Sequence, residues 1–344
     1  MGDSKTKRNI DLDIVRGMLV FIMVVYHSAS VISEPQFQHS AKIITDRVSF
    51  IHYAFILISG FLCGWYYTPR LKDSKTAIRK RIFIRAVKLL SVFLALNFLF
   101  YSMGIVYSYE RLISKVNSIE GILLFLNRLP GDYVAFEVLY YIAIFLLLSS
   151  FIIGNNLLFS LSVLVSLILT FKNPGLPYWL LYGMIGMIIG IWVQRGYFNN
   201  FWHVLERTKG IPLISILILY QIFLSPIHMI MFRYKFYYLN IFIYVLESSL
   251  WFLTFVFLFR LINSNILKNA ITLIGKYILI GYIVQMIVLH VIYRLVQVIG
   301  IQGIGSYITN LICGSVLMCA TIVFLDYMRK RSNLIDRSYS FVFG

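Results

Sequence analysis

Leu12-Asp13-Ile14-Val15-Arg16-Gly17-Met18-Leu19-Val20-Phe21-Ile22-Met23-Val24-Val25-Tyr26-His27-Ser28-Ala29-Ser30-Val31-Ile32 is the first apolar run of the chain. About 20 predominantly apolar residues suffice for a helix to cross the hydrocarbon core of a bilayer. The run is continuous rather than alternating with a period of two, so it reads as a helix and not as a barrel strand. Similar runs follow near 48–67, 84–107, 133–153, 157–171, 178–194, 211–227, 239–262, 271–299 and 305–328. The expected fold is therefore all-α: a polytopic transmembrane helical bundle of about ten spans, with both termini cytoplasmic. The run at 157–171 is short, and that at 271–299 is long enough to be tilted or broken. The stretch 119–129, just before Pro130-Gly131, reads as an interfacial or re-entrant segment.

Composition agrees. Of 344 residues, 60% are hydrophobic and 13% charged, against about 45–50% and about 25% in soluble domains. The chain reads as a single membrane domain over 1–344, with 1–11 and 329–344 as cytoplasmic tails. No small-residue cleavage site follows the first run, so it is expected to be retained as a span. Cys63, Cys313 and Cys319 all fall in apolar runs without disulfide or metal-ligand spacing, and read as small core hydrophobes.

The net charge of +17 first suggests nucleic acid, but most of the basic residues flank apolar spans. Ten spans with the N-terminus inside place 22 of the 31 basic residues and seven of the 14 acidic ones on the cytoplasmic side. That is a net +15 inside and +2 elsewhere, the asymmetry by which cationic loops are retained in the cytoplasm. Membrane lipid is thus the expected surrounding partner and nucleic acid is not. Oligomeric state is left open.

Ionisable residues inside spans are costly and point to function. Arg16 and His27 are eleven residues apart, about three helical turns, so they share one face about 16.5 Å apart along the axis. Arg16 suits a phosphate at the inner headgroup level. His27, near mid-bilayer, suits a general base; its bland alternative is a helix-packing hydrogen bond. Arg81, Arg85 and Lys88 recur at spacings of four and three and form a basic stripe. It is either an anchor to anionic lipid or a phosphate clamp for a nucleotide-like cofactor. Glu137 and Tyr140 sit three apart on one helix, and Glu137 could receive or orient a proton. His52 lies near the outer end of the second span. Glu247, His290 and Arg294 are further buried candidates, with Glu247 and Arg294 expected to pair across helices. Gly60 and Gly64, and Gly186 and Gly190, read as close helix-packing positions. Trp65, Trp179 and Trp192 read as interfacial anchors. No paired metal ligands, Walker lysine loop or nucleophile elbow is present.

Leu12-Asp13-Ile14-Val15-Arg16-Gly17, with His27 eleven residues after the arginine, resembles the opening of the acyltransferase-3 family of integral membrane acyltransferases. Ile58-Ser59-Gly60-Phe61 is similar to that family's S-G-F. Arg85-x-x-Lys88 is similar to its R-x-x-R, with lysine in place of the last arginine. Glu137-x-x-Tyr140-Tyr141 resembles its E-x-x-F-Y, without the usual preceding W-S-L. Ile274-Gly275-Lys276-Tyr277 resembles a late L-G-K-x-S segment, without the serine. A related glucan succinyl-transfer branch is also similar.

The resemblance implies transfer of an acyl group, commonly acetyl, from cytosolic acyl-CoA to a sugar hydroxyl. The acceptor would be a cell-surface glycan or its lipid-linked precursor, and the location a bacterial plasma membrane. On that expectation the catalytic residues are His27, as general base or transient acyl carrier, and Glu137. Arg16, Arg81, Arg85 and Lys88 would hold the phosphates of acyl-CoA, and His52, Tyr140 and Ser59 would contact the acceptor. No metal is expected. The alternative from another class is a transporter or flippase of a glycan or lipid-linked intermediate, for which repeats and mid-membrane helix breaks are the usual signs.

Overall fold

The computed structural model describes residues 10–30, 37–102, 136–172, 178–199, 203–204, 207, 211–219, 237–261 and 264–343. Among them there is no strand. The helices are α1 (Ile10–Ser30), α2 (Gln38–Val48), α3 (Phe50–Leu62), α4 (Lys75–Ser102), α5 (Glu137–Ile152), α6 (Asn156–Lys172) and α7 (Tyr178–Gln194). They continue with α8 (Ile211–Leu219), α9 (Tyr237–Leu261), α10 (Asn265–Lys276), α11 (Ile278–Ile299), α12 (Gly303–Arg331) and α13 (Asn333–Phe343). A π turn at Cys63–Tyr67 extends α3, and a 3₁₀ turn at Pro69–Lys72 precedes α4.

Among the described residues, four helical stretches are long and apolar enough to cross a membrane: Gln38–Tyr67, Lys75–Phe100, Ile278–Ile299 and Gly303–Arg331. Shorter apolar helices accompany them at Glu137–Ile152, Asn156–Ile168, Trp179–Gln194 and Ile243–Phe259. Helix α12 shows why this is a membrane bundle. Its buried face is a narrow stripe, Ser306, Asn310, Gly314, Met318, Ile322 and Asp326. The opposite face exposes Ile304, Ile308, Ile312, Val316, Val323 and Phe324. An apolar stripe of that length facing outward, with polar residues turned inward, suits a lipid surround and not water. The protein is an all-α membrane helical bundle.

The chain forms two compact units. Unit 1 comprises Met1–Ile51, Val204–Met229 and Leu246–Tyr339; unit 2 comprises His52–His203, Ile230–Val245 and Ser340–Gly344. In unit 1, α1 packs against α2, α10, α11 and α12. Its crossing with α10 brings backbones together: a Cβ on Gly17 would overlap the Ile271 carbonyl, and one on Gly275 the Asp13 carbonyl. Ile14, Ile271 and Phe259 cluster beside it, with Met18 and Phe21 against them. In unit 2, α4 packs along α5, and α7 packs on α6 and the π turn. The core there is built on Ile82, Phe145, Tyr182 and Met184. Gly60 and Gly64 meet α7 where its Gly183, Gly186 and Gly190 leave room, each pressed against a main-chain carbonyl or, for Gly183, the Phe145 ring. The close packing expected of Gly60, Gly64, Gly186 and Gly190 is therefore present.

Several boundaries differ from the sequence reading. The run 271–299, expected to be tilted or broken, is broken into two helices, because Tyr277 leaves the helical region at φ −107°, ψ 30° and its N–H caps α10 on the Leu273 and Ile274 carbonyls. Ser264 caps the other end of α10 by accepting from the Leu267 N–H at 3.3 Å. Helix α4 begins at Lys75 rather than 84, carrying its basic first turns into the same rod. Trp179 is buried, 5.5 Å from the Tyr141 ring, instead of anchoring at an interface. Cys63 is buried as expected, but Cys313 is exposed. The stretch 119–129 lies outside the described residues.

The α1–α10 crossing makes a direct prediction. Gly275→Val forces a branched side chain onto the Asp13 carbonyl, an overpacking that costs about 1–3 kcal/mol. Thermal unfolding in detergent should show a Tm several degrees lower; an unchanged Tm would mean that the two helices do not meet at this glycine.

Candidate functional site

Unit 1 carries Arg16 and His27 on one unbroken helix, so the eleven-residue spacing does place both on one face of α1. Arg16 is half-buried, and its Nη1 lies 3.4 Å from Oδ1 of Asp13, itself almost fully buried. Asp13 is thus the immediate counter-ion of the arginine, a role that sequence reasoning missed although the two residues stand at the i, i+3 spacing of helical ion pairs. The His27 ring lies edge-on to Tyr26 at 5.2 Å and 6.4 Å from the Tyr282 ring of α11.

At the start of α11 a charged network ties three helices together. Asp326 of α12 accepts hydrogen bonds from Lys276 Nζ at 2.9 Å and from the Tyr277 hydroxyl at 2.7 Å, and Lys330 Nζ reaches its second oxygen at 2.5 Å. Arg329 donates from Nη1 to the Tyr277 hydroxyl at 3.2 Å and from Nε to Asp336 of α13 at 2.9 Å. Its guanidinium also stacks 3.8 Å from the Tyr339 ring centre. The late Gly275-Lys276-Tyr277 segment is therefore structural in two ways. The glycine admits α1, and the next two residues hold α12. Asp326 and Lys330, an acid and a base at i, i+4 on one helix, were the available signal.

Unit 2 brings together two residues that the sequence picked separately. His52 Nε2 lies 3.7 Å from Glu137 Oε1, with side-chain exposures of 15% and 27%. Glu137 opens α5 immediately after Phe136, a non-glycine residue at φ +63°. A left-handed turn at such a position is rare and aims the first turn of the helix. Tyr140 is buried, its ring 5.5 Å from Phe93 of α4 and 5.8 Å from Tyr141. Ser59 donates to the Phe55 carbonyl of its own helix at 2.8 Å. His290 in unit 1 is likewise engaged with its own helix, Nδ1 to the Met286 carbonyl at 2.8 Å. Glu247 is buried while Arg294 is exposed.

The basic stripe forms on α4 as its spacing requires. Arg81 and Arg85 are exposed and Lys88 is half-exposed, while Ile78, Ile82 and Ala86 fill the buried face about a quarter-turn away. The described partners of these cations are uncharged. Arg85 Nη1 donates to the Tyr67 hydroxyl in the π turn at 2.8 Å. Lys88 lies over the Phe341 ring at 5.4 Å, and Arg70 over the Tyr66 ring at 3.5 Å. Arg79 is used differently, its guanidinium capping the end of α5 at the Phe151 and Ile153 carbonyls. The contrast with unit 1 is physical. There Arg16, Lys276, Arg329 and Lys330 each face a carboxylate; on α4 the positive charge of the stripe is left without such an opposite among the described residues.

A family model described as OpgC protein matches residues 8–201. The chain belongs to the OpgC family. No curated protein and no solved structure matches it. The OpgC match corresponds to the glucan succinyl-transfer side of the resemblance and not to acyltransferase-3 as such. It identifies a membrane transferase of acyl type acting on glucans. The OpgC-matched segment contains Arg16, His27, His52, Ser59, Arg81, Arg85, Lys88, Glu137 and Tyr140, and excludes the Asp326 network.

The contact between His52 and Glu137 can be tested as a pair. Residues that act together lose function non-additively. The double variant His52→Ala with Glu137→Gln should transfer acyl groups no more slowly than the worse single variant. Rates that multiply would show two independent residues.

Proposed function

We propose that this protein is an integral membrane O-acyltransferase that moves an acyl group from acyl-CoA to a hydroxyl of a glucan at the bacterial plasma membrane. The observation that carries the proposal is the extent of the family match: it takes in every residue to which the sequence assigned a catalytic or binding role. The family favours succinyl as the acyl group over the acetyl that the broader resemblance suggested.

The donor is an anion with several phosphates, and the α4 stripe suits it. Arg81, Arg85 and Lys88 sit at helical spacing on an exposed face with uncharged described partners. Arg85 can offer a phosphate the donors not directed at Tyr67, in the fork geometry that guanidinium provides. Within unit 1, Arg16, oriented by Asp13, is a separate cation that can hold a phosphate.

The chemistry is assigned to His27. Acting as general base, its imidazole takes the proton of the acceptor hydroxyl as the oxygen attacks the thioester carbonyl. The carbon–sulfur bond breaks, the imidazolium returns its proton to the departing thiolate, and the products are an ester and free CoA. Glu137, 3.7 Å from His52, is the second residue assigned to catalysis; within unit 2 it can accept a hydrogen bond from His52 and so orient the ring.

Purified full-length protein supplied with succinyl-CoA and a β-glucan oligosaccharide tests this. His27→Ala should reduce transfer by about 10²–10⁴-fold, the usual worth of a general base, with Tm unchanged. Arg85→Ala should mainly raise KM for the acyl-CoA, the pattern left by loss of a ground-state contact. An active His27→Ala enzyme would overturn the mechanism. Thermal stabilisation by the oligosaccharide with no stabilisation by acyl-CoA would favour transport of the glycan instead.

A further inference from the structure

The connection between α3 and α4 in unit 2 has no role of its own in the scheme above, although it carries the partner of Arg85. It consists of the π turn at Cys63–Tyr67 and the 3₁₀ turn at Pro69–Lys72. Such π turns interrupt helices at functional sites more often than elsewhere. This one is seated tightly, with Gly64 against the Met187 carbonyl of α7, where a Cβ would collide. Its last two residues are tyrosines whose rings meet edge-to-face at 5.1 Å. Tyr67 is buried, and its hydroxyl receives Arg85 of the α4 stripe at 2.8 Å. Tyr66 is half-buried, and the 3₁₀ turn brings Arg70 back over its ring.

The Arg70 guanidinium carbon lies 3.5 Å from the Tyr66 ring centre, the shortest cation–ring separation among the described residues. The ring holds it more firmly than the backbone does: Arg70 Nη1 is 3.5 Å from the Tyr66 carbonyl oxygen, at the long limit of a hydrogen bond. At that separation the guanidinium sits on the phenol as a second flat layer. Arg70 is itself half-buried, so part of this layer meets solvent. Contact by contact, Arg70 and Arg85 are tied to the same pair of adjacent tyrosines. Two aromatic rings lie between the two guanidinium groups, the scale on which a nucleotide separates its base from its phosphates.

These features select a ligand. Arg85 is exposed and suits a phosphate. A layered phenol and guanidinium offers something that a phosphate does not use, a flat and weakly hydrated face. Planar bases stack on guanidinium planes and on aromatic rings. A sugar ring is not flat, and a lipid phosphate carries no ring. A base joined to phosphates is a nucleotide, and adenine is the base of acyl-CoA. We propose that the Arg70–Tyr66 layer seats the adenine ring of the donor while Arg85, beside Tyr67, holds its phosphates. This deepens the acyl-transfer reading and rests on it for the identity of the donor.

The test uses full-length protein in detergent and two probes. Adenosine 3′,5′-bisphosphate carries base and phosphates, and inorganic tripolyphosphate carries charge alone. Arg70→Lys keeps the charge and loses the plane. It should bind the bisphosphate about tenfold more weakly, the order expected for one lost base stack, and tripolyphosphate as wild type does. Tyr66→Leu should weaken the bisphosphate in the same way, and Tyr66→Phe, which keeps the ring, should restore it. The two positions test one layer independently, should either variant misfold. In transfer assays Arg70→Lys should raise KM for succinyl-CoA about tenfold, with kcat and the acceptor KM unchanged. Unchanged bisphosphate affinity in Arg70→Lys and Tyr66→Leu, or equal weakening of both probes, would overturn the adenine seat and leave the donor reading of α4 standing. Bisphosphate binding that depends on Arg70 and Tyr66, in a protein that transfers nothing from succinyl-CoA, would support the seat and overturn the transfer reading.

Discussion

The backbone contact between α1 and α10 is the constraint on which unit 1 depends. Gly17 and Gly275 let two helices meet where any side chain would collide with a main-chain carbonyl. Without water in the hydrocarbon there is little hydrophobic gain from bringing apolar helices together, so close packing of small residues is what holds them. The consequences run outward along both helices. Next to Gly17 is Arg16, held by Asp13. Next to Gly275 are Lys276 and Tyr277, which grip Asp326 on α12. One contact thereby fixes the arginine of the N-terminal motif and the register of the helices beyond it. The same device recurs in unit 2, where Gly60 and Gly64 face the glycines of α7, and there it sets the position of the π turn whose Tyr67 receives Arg85.

That pattern explains which parts of the molecule could be read from the chain. Apolar runs long enough to span a bilayer needed no tertiary information, so the all-α membrane fold followed from length and hydropathy alone. The glycine pairs were visible as small residues at helical spacing, although only the structure shows which helix each one meets. The length of the 271–299 run foretold a tilt or a break, but not its place, because Ile-Gly-Lys-Tyr-Ile contains no proline or strong stop; Tyr277 and Lys276 there reach for Asp326, about 50 residues away. Trp179 looked interfacial because it opens an apolar run, but stacking on Tyr141 decides its burial.

The candidate site divides in the same way. His27 and Arg16 could be chosen from one helix, because spacing on a single rod determines whether two side chains share a face. His52 and Glu137 could each be chosen as an ionisable residue in a span, but 85 positions separate them and nothing in the spacing foretells a 3.7 Å approach. Asp13 was hidden by its small size and proximity to the motif arginine, and Asp326 by its position at the polar end of a span. Buried uncharged groups such as Asn310 carry the weakest sequence signal of all, since a single amide in an apolar run changes hydropathy little.

Electrostatics distinguishes the polar groups of the two units. In unit 1 the named cations stand opposite carboxylates, and the deeper buried polar groups are neutral. In unit 2 the α4 cations stand opposite a phenol and an aromatic ring, which leave their charge largely available. A polyphosphate donor gains most where positive charge is uncompensated, because each added anion there meets attraction without first displacing a competing carboxylate. A sugar gains nothing from such a surface beyond what water already offers it. It gains most where hydroxyls and amides lack partners and water is excluded, because each hydrogen bond formed there removes the cost of a group left unmatched. Charge left open on α4 and hydrogen-bonding capacity left open in the interior of unit 1 are thus different physical resources, the one suited to anions and the other to neutral polar groups, and neither substitutes for the other.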